Sequence, residues 1–314
     1  MSDQLAIHVA DLHKDFGEIQ AVRGISFDVG RGAIFSLLGP NGAGKSTTIS
    51  MLSCLLRPTA GDATVMGHSI LQDPAGVKAA IGVAPQEVAI YEDLTARENL
   101  EFWGKMYGLR GHALRQRVDE VLELVGLTDR QRGRVGKFSG GMKRRINIAV
   151  ALLHRPAVLI LDEPTVGIDP QSRRHILDGV LAYNQEGTTV LYTTHYMEEA
   201  QELSDHIAIM DHGQIIALGT HQELVQIVGE QDRIDFAWDA APEALLARWR
   251  AIDGVHQVSA TDGAVSVLAD DSNVVLPRLF EAAAVAGVHI SSVSIQEPNL
   301  ETVFLHLTGR ALRE

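Results

Sequence analysis

Residues 33–48 read AIFSLLGPNGAGKSTT, and this stretch decides what kind of molecule the chain makes. Ile34 to Leu38 form an apolar run with the length of a buried strand, bounded by a turn signal. The run empties into Gly39-Pro40-Asn41-Gly42-Ala43-Gly44-Lys45-Ser46, which fits the G-x-x-x-x-G-K-[ST] spacing of a phosphate-binding loop. Thr47, Thr48, Ile49, Met51, Leu52 and Leu55 then continue at helical spacing. Strand, glycine loop and helix come in the order such a loop needs. Glycines let consecutive N–H groups turn inward toward an anion, and the helix N-terminus adds its positive dipole end. Lys45 is expected to reach β- and γ-phosphates, and the Ser46 hydroxyl to ligate Mg²⁺. These residues predict an α/β chain that binds a nucleotide.

Outward from that loop, 314 residues are long for one domain and suggest two. The balance of 46% hydrophobic and 21% charged residues is that of an ordinary globular protein. No apolar run approaches the roughly 20 residues of a membrane span. The opening MSDQLAIHVADLHKDF is acidic and lacks a signal-peptide core. A single cysteine, Cys54, excludes an internal disulfide, suits a reducing compartment and reads as packing. The net charge of −13 argues against a broad nucleic-acid footprint and against direct binding to anionic lipid. A cytoplasmic protein is expected.

Upstream of the loop, residues 5–36 alternate apolar and polar between glycine turns, the pattern of an antiparallel β patch. Phe16, just before the loop, reads equally as a core aromatic or as a platform for adenine. Downstream, 57–86 reads as turns with two strands, ATVMGHSI and AAIGVAPQ, the second ending at Gln86. That glutamine either faces the phosphate site or caps a turn. Residues 92–154 change to helical periodicity, opened by a capping box at Thr95 and Glu98, and form a helical insertion. The basic run Arg130, Arg132, Arg134 and Lys137 within it reads as a solvated face. Phe138-Ser139-Gly140-Gly141-Met142 then starts another helix, where a hydroxyl and two unhindered N–H groups make a second small anion-binding device.

Two further buried-type strands end in chemistry. Ala157-Val-Leu-Ile-Leu-Asp162 delivers Asp162, which fits the acidic Mg²⁺ partner of phosphate-loop ATPases. Glu163, adjacent but expected on the other side of the strand, is suited to polarise an attacking water. Thr188 to Thr194 leads to His195, where α/β sheets place their ligands. Residues 206–219 read as a hairpin, and a boundary is expected near 229–233, giving domains 1–228 and 229–314. The second has the order β-α-β-β-α-β plus a helix, with a hairpin through Thr261-Asp262-Gly263 and a helix that contains Pro277. That is the ferredoxin-like α+β order, without metal-ligand spacing or a nucleophile–base pair, and suggests an accessory or regulatory role.

GPNGAGKST at 39–47, Gln86, FSGGM at 138–142, VLILDEP at 158–164, Val166-Gly-Ile-Asp169 and His195 occur in one order over residues 4–225. Together they resemble the ATP-binding cassette (ABC) family. The resemblance implies a phosphate-loop ATPase core with an antiparallel β subdomain and a helical insertion. It assigns Phe16 to adenine, Gln86 to Mg²⁺ or water and to sensing a transport partner, Glu163 to the base and His195 to the γ-phosphate. It gives Asp169 to the loop coupling two sites. It implies a head-to-tail dimer, a homodimer in the simplest case, with Ser139, Gly140 and Gly141 closing over ATP held by Lys45 of the other copy. The signature usually reads Leu-Ser-Gly-Gly-Gln. Here Phe138 and Met142 replace its ends while the phosphate-facing core is intact.

Residues 297–310, EPNLETVFLHLTGR, resemble the ending of daunorubicin-type drug-resistance exporter ATPases. This implies a separately encoded ABC-2-type membrane permease and a place at the cytoplasmic face of the cell membrane. Docking of that permease is expected near Tyr91 and Trp103. The expected function is ATP hydrolysis that drives efflux of drug-like or lipophilic substrates. The alternatives are a non-transport ATPase acting on ribosomes or nucleic acid, and a nucleotide switch of low turnover. The chain lacks tandem cassettes and zinc insertions, which counts against the first, and intact Glu163 and His195 count against the second.

Overall fold

Two long strands, Leu5–Phe16 (β1) and Ile19–Gly30 (β2), pair antiparallel, as their alternation predicts. The short, fully buried Ile34–Leu38 (β3) follows, then Lys45–Leu52 (α1), Ala60–Val65 (β4), His68–Ser69 (β5), Pro74–Ala80 (α2) and Ile81–Ala84 (β6). Next come Ala96–Met106 (α3), Gly111–Leu124 (α4), Gly140–Leu152 (α5), Val158–Asp162 (β7), Pro170–Gln185 (α6) and Thr189–Thr194 (β8). Met197–Leu203 (α7), His206–Asp211 (β9), Gln214–Gly219 (β10) and His221–Gln226 (α8) complete this part. The computed structural model describes residues 4–229, 231–237, 243–261, 264–296 and 299–309.

Two sheets organise the first part. One runs β2-β1-β4-β5: of the antiparallel patch expected over residues 5–36 it keeps β1 and β2, while β3 joins the other sheet and β4 and β5 complete this one. The other runs β10-β9-β3-β8-β7-β6, parallel throughout except for the β10–β9 edge. All residues of β3, β7 and β8 are buried, which is why each reads as an unbroken apolar or Thr-rich run and not as an alternation. Because these three strands are parallel and adjacent, their carboxyl ends share one edge of the sheet, and the predicted site residues follow those ends.

Helices α3, α4 and α5 lie in the crossover between β6 and β7 and form the expected insertion. Their apolar stripes meet in one core with Leu100, Leu114, Val118, Val121, Leu122 and Ile146. Thr95 accepts from the Glu98 N–H while the Glu98 carboxylate accepts from the Thr95 N–H, so the capping box is formed. Both strands expected over 57–86 are corrected: ATVMGHSI is split by the positive-φ turn Met66-Gly67 into β4 and β5, which pair antiparallel. Ala79 and Ala80 close α2 and do not begin β6. Asp73 accepts from the Gly76 N–H and Pro74 occupies the first helical turn, a start signal that the short apolar run before Gln86 obscures.

The chain separates into two compact units, one ending at His221 and one beginning at Gln222, so α8 falls almost wholly in the second and the division comes earlier than the boundary expected near 229–233. The second holds Asp232–Ala237 (β11), Glu243–Arg250 (α9), Val255–Thr261 (β12), Ala264–Ala269 (β13), Ser272–Val285 (α10), Ser292–Gln296 (β14) and Leu300–Thr308 (α11). Its sheet order is β12-β13-β11-β14, antiparallel throughout, the arrangement that the predicted β-α-β-β-α-β order requires. Phe236, Trp249, Val265, Val267 and Leu279 centre its own core. Pro277 sits inside α10 without ending it. The turn residues Asp262 and Gly263, and Glu297, Pro298 and Arg310 of the tail, lie outside the described residues.

Candidate functional site

The loop after β3 passes directly into α1 at Gly44, whose φ of +105° no other residue adopts easily. A Cβ there would also stand 2.7 Å from the Ala21 carbonyl oxygen, so the loop can wrap this tightly only with glycine. Lys45, the first residue of α1, is buried, and its Nζ donates to the carbonyls of Gly39 (2.7 Å) and Pro40 (3.0 Å). The same Nζ lies 3.0 Å from Glu163 Oε1. An ammonium has three donors, and all three are engaged. A cleft of about 520 Å³ opens beside it, a volume suited to a small ligand. Asn41, Gly42, Gly44, Ser46 and Thr47 line it from the loop, and Gln86, Glu163 and His195 from distant parts of the chain. Ala43 is buried beneath the loop.

The two carboxylates reach this cleft differently from the strand expectation. Asp162 ends β7, and its Oδ1 accepts from Ser46 Oγ (3.2 Å) and from Thr193 Oγ1 (2.6 Å). Alternation would send Glu163 to the opposite face. Instead Glu163 leaves the strand with φ +43°, a left-handed conformation costing about 1–3 kcal/mol, which turns its side chain back toward Lys45. Its N–H donates to Thr193 Oγ1 (3.0 Å) and to the Thr193 carbonyl (3.2 Å), contacts that hold the bend. His195, one residue beyond β8, brings Nδ1 within 3.3 Å of Glu163 Oε2 without the alignment of a hydrogen bond. Lysine, two carboxylates, a hydroxyl and an imidazole thus converge at one edge of the sheet.

Thr193 was not among the expected site residues. It links the Asp162 carboxylate to the backbone N–H of Glu163, because the register pairs Asp162 with Thr193 across β7 and β8. The one sequence signal was a hydroxyl near the end of a strand buried on both faces. Arg144 and Asn147 of α5 were also unforeseen. Arg144 Nη1 and Asn147 Nδ2 donate to the Pro85 carbonyl (2.7 and 3.2 Å), and Asn147 Oδ1 accepts from the Ala89 N–H (3.1 Å). They pin the loop on both sides of Gln86, which is itself exposed two residues past β6.

The remaining expected residues lie outside the cleft lining. Ser139 caps α5, accepting from the Met142 N–H. Gly141 packs so closely on α6 that a Cβ would come within 2.2 Å of the Ser172 side chain. Asp169 caps α6 and accepts from the Ser172 N–H at 2.9 Å. That hydrogen bond holds its carboxyl below the usual carboxylate range. Ser139, Gly140, Gly141 and Asp169 therefore form a second cluster. Phe16 is half exposed at the end of β1 with Lys14 Nζ 5.1 Å over its ring, which sets aside the core reading. Tyr91, Phe102 and Trp103 pack as an aromatic group beside the Gln86 loop, Tyr91 and Phe102 exposed.

Among known proteins, the family model described as ABC transporter matches residues 22–166. The linearmycin resistance ATP-binding protein of Bacillus subtilis is 48% identical over 98% of this chain and 100% of its own length. A daunorubicin resistance ATP-binding protein of Streptomyces coeruleorubidus is 39% identical over 98% of this chain and 96% of its own. Among solved structures, an ATP-binding subunit of an ABC transporter superposes with a TM-score of 0.65 at 29% identity, covering 71% of this chain and 93% of that one. A dimeric ATP-binding cassette in a post-hydrolysis state, bound to ADP and Pi, gives 0.62 at 25% identity over 68% and 98%.

Proposed function

The chain belongs to the ABC transporter family, as an ATP-binding subunit of the daunorubicin-type resistance group, and from that premise we propose how its cleft works and what it serves. It is an ATP-hydrolysing subunit that powers efflux. The observation that carries the proposal for the site is the convergence of Lys45, Ser46, Asp162, Glu163 and His195 at the carboxyl ends of β3, β7 and β8. Lys45 and the loop N–H groups take the phosphates. Glu163 accepts a proton from the attacking water, His195 contacts the γ-phosphate, and Gln86 reports to the membrane partner.

Ser46 Oγ and Asp162 Oδ1, 3.2 Å apart, are hard oxygen donors of the kind Mg²⁺ prefers, so the residues present fit that ion. Bound there, it would neutralise phosphate charge. Lys45 commits its three donors to Gly39, Pro40 and Glu163. An incoming phosphate competes for that ammonium, and transfer of its Glu163 contact to the phosphate frees that carboxylate to act as a base. Nucleotide binding and base activation are then one event.

Ser139, Gly140 and Gly141, outside this chain's own cleft, suit closure over the nucleotide of a second copy, with Asp169 coupling the sites. Phe16, exposed at the end of β1, is offered to adenine. The unit ending at His221 is the nucleotide-binding domain, and the unit beginning at Gln222 is an accessory domain. Among the described residues no helix is long and apolar enough to cross a membrane. A separately encoded permease of the ABC-2 type would supply the path and hold the subunit at the cytoplasmic face, docking near Tyr91 and Trp103. The resistance proteins named above favour a drug-like or lipophilic cargo.

The test is Glu163→Gln in the purified full-length chain. Loss of a general base predicts a fall in kcat of about 10²–10⁴-fold, with ATP still bound. Unchanged hydrolysis would remove Glu163 from the mechanism.

A further inference from the structure

His195 is a ring at the end of a strand, and its Nδ1 has no hydrogen-bond partner to fix it. Its orientation is set by what surrounds it. The Tyr196 ring packs against it with centroids 4.2 Å apart, and the Arg173 guanidinium lies 4.1 Å over that same Tyr196 ring. Arg173 Nε in turn donates to Glu199 Oε1 at 2.6 Å. Glu199 is a carboxylate only 1% exposed, and its second oxygen accepts from Tyr192 Oη (2.9 Å) and Thr194 Oγ1 (2.8 Å). The Thr194 oxygen also accepts from the Tyr196 N–H at 2.9 Å. Burial, reinforced by the Glu199 carboxylate, pushes the Tyr192 phenol well above its usual range, so it stays a donor.

A buried carboxylate is expensive unless satisfied, and this one is satisfied by the residues that frame His195: Tyr192 and Thr194 before it, and Tyr196 after it through Arg173. We infer that Glu199 and Arg173 are positioning residues that hold His195 at the cleft. Neither lines the cleft, so both act through His195. Arg173 also stands one residue after Ser172, the residue on which Gly141 packs, and four after Asp169. The first turn of α6 therefore touches the signature helix on one side and the support of His195 on the other. The inference rests on the role given to His195 above.

The experiment is a double-mutant cycle on the full-length chain, with kcat, KM and the affinity for a non-hydrolysable ATP analogue measured for each protein. Glu199→Gln and Arg173→Ala should each lower kcat about tenfold while KM and analogue affinity change less than about twofold. Combined with His195→Ala, neither should lower kcat further. Losses that multiply with His195→Ala, or that appear chiefly in KM and affinity, overturn the positioning role in favour of a purely structural one. Arg173 is at the surface edge, so if Glu199→Gln folds poorly by thermal unfolding, the Arg173→Ala cycle decides alone. If His195→Ala keeps full kcat, the reading of His195 falls and this inference with it. If His195→Ala loses activity and the two network variants do not, only this inference falls.

Discussion

Thr193 shows how much of the site depends on one hydroxyl. Its Oγ1 donates to Asp162 and accepts from the Glu163 N–H, so it fixes both the metal-type carboxylate and the bend that turns Glu163 inward. Thr193→Val keeps the shape and removes both bonds. Asp162 keeps Ser46 Oγ and the Glu163 N–H keeps the Thr193 carbonyl. The loss is therefore of two buried hydrogen bonds, about 1–3 kcal/mol together, and the variant should unfold at lower denaturant and hydrolyse ATP more slowly. Equal stability and rate would mean that the bend is held elsewhere, by the Thr193 carbonyl alone. Lys45 and Glu163 were legible from residue type and spacing. Thr193 was not, because its role depends on which strand lies beside β7, and nothing local to residues 188–194 states that.

At the scale of elements, helix starts carry the argument. Asp73, Thr95, Ser139 and Asp169 each place a side-chain oxygen on an N–H of the first turn, the partners those N–H groups otherwise lack. Asp169 gives a pH-dependent case. Its folded pKa is depressed by the Ser172 N–H. Its contribution is therefore fully present above the unfolded value, about 3.9, and is lost as pH falls through the lower folded value. Asn caps about as well as Asp but does not titrate. Asp169→Asn should match the wild type in stability near neutral pH and differ in the acid limb of an unfolding-versus-pH curve. Identical acid limbs would remove the cap from the account. The same scale holds the clearest departure from expectation, α2. Its start signal Asp73-Pro74 is present in the sequence, but Ala79 and Ala80 abut Ile81 without a break, so the apolar run alone could not say where helix gave way to strand.

For the whole molecule, two cores matter. The second unit closes around Phe236 and Trp249, rings 4.6 Å apart, with Trp249 Nε1 donating to the Leu279 carbonyl at 3.1 Å. Trp249→Ala should cost that unit about 3–5 kcal/mol, and ATP binding by the first unit should survive. Calorimetry beside a nucleotide-binding assay decides it, and loss of both together would mean that the units fold as one. The transport reading is also decided at this scale. Affinity purification from detergent-solubilised native membranes should bring down a polytopic membrane protein near equal stoichiometry. Recovery only from the soluble fraction, with ribosomes or nucleic acid attached, would favour a non-transport ATPase.

The sequence by itself determined the parts whose information is local. The Gly44-Lys45-Ser46 loop, the buried strands before it and before Asp162, the capped helices and the β-α-β-β-α-β order of the second unit follow from spacing, burial pattern and turn chemistry. Tertiary structure decided what meets what. Parallel pairing of β3, β8 and β7 brings Lys45, His195 and Glu163 to one edge from positions up to 150 residues apart, 195 minus 45. A positive φ then overrides strand alternation at Glu163, and a buried carboxylate at Glu199 gathers the residues around His195. Such contacts depend on register and on the satisfaction of buried polar groups, which belong to the packed sheet and to no single stretch of chain.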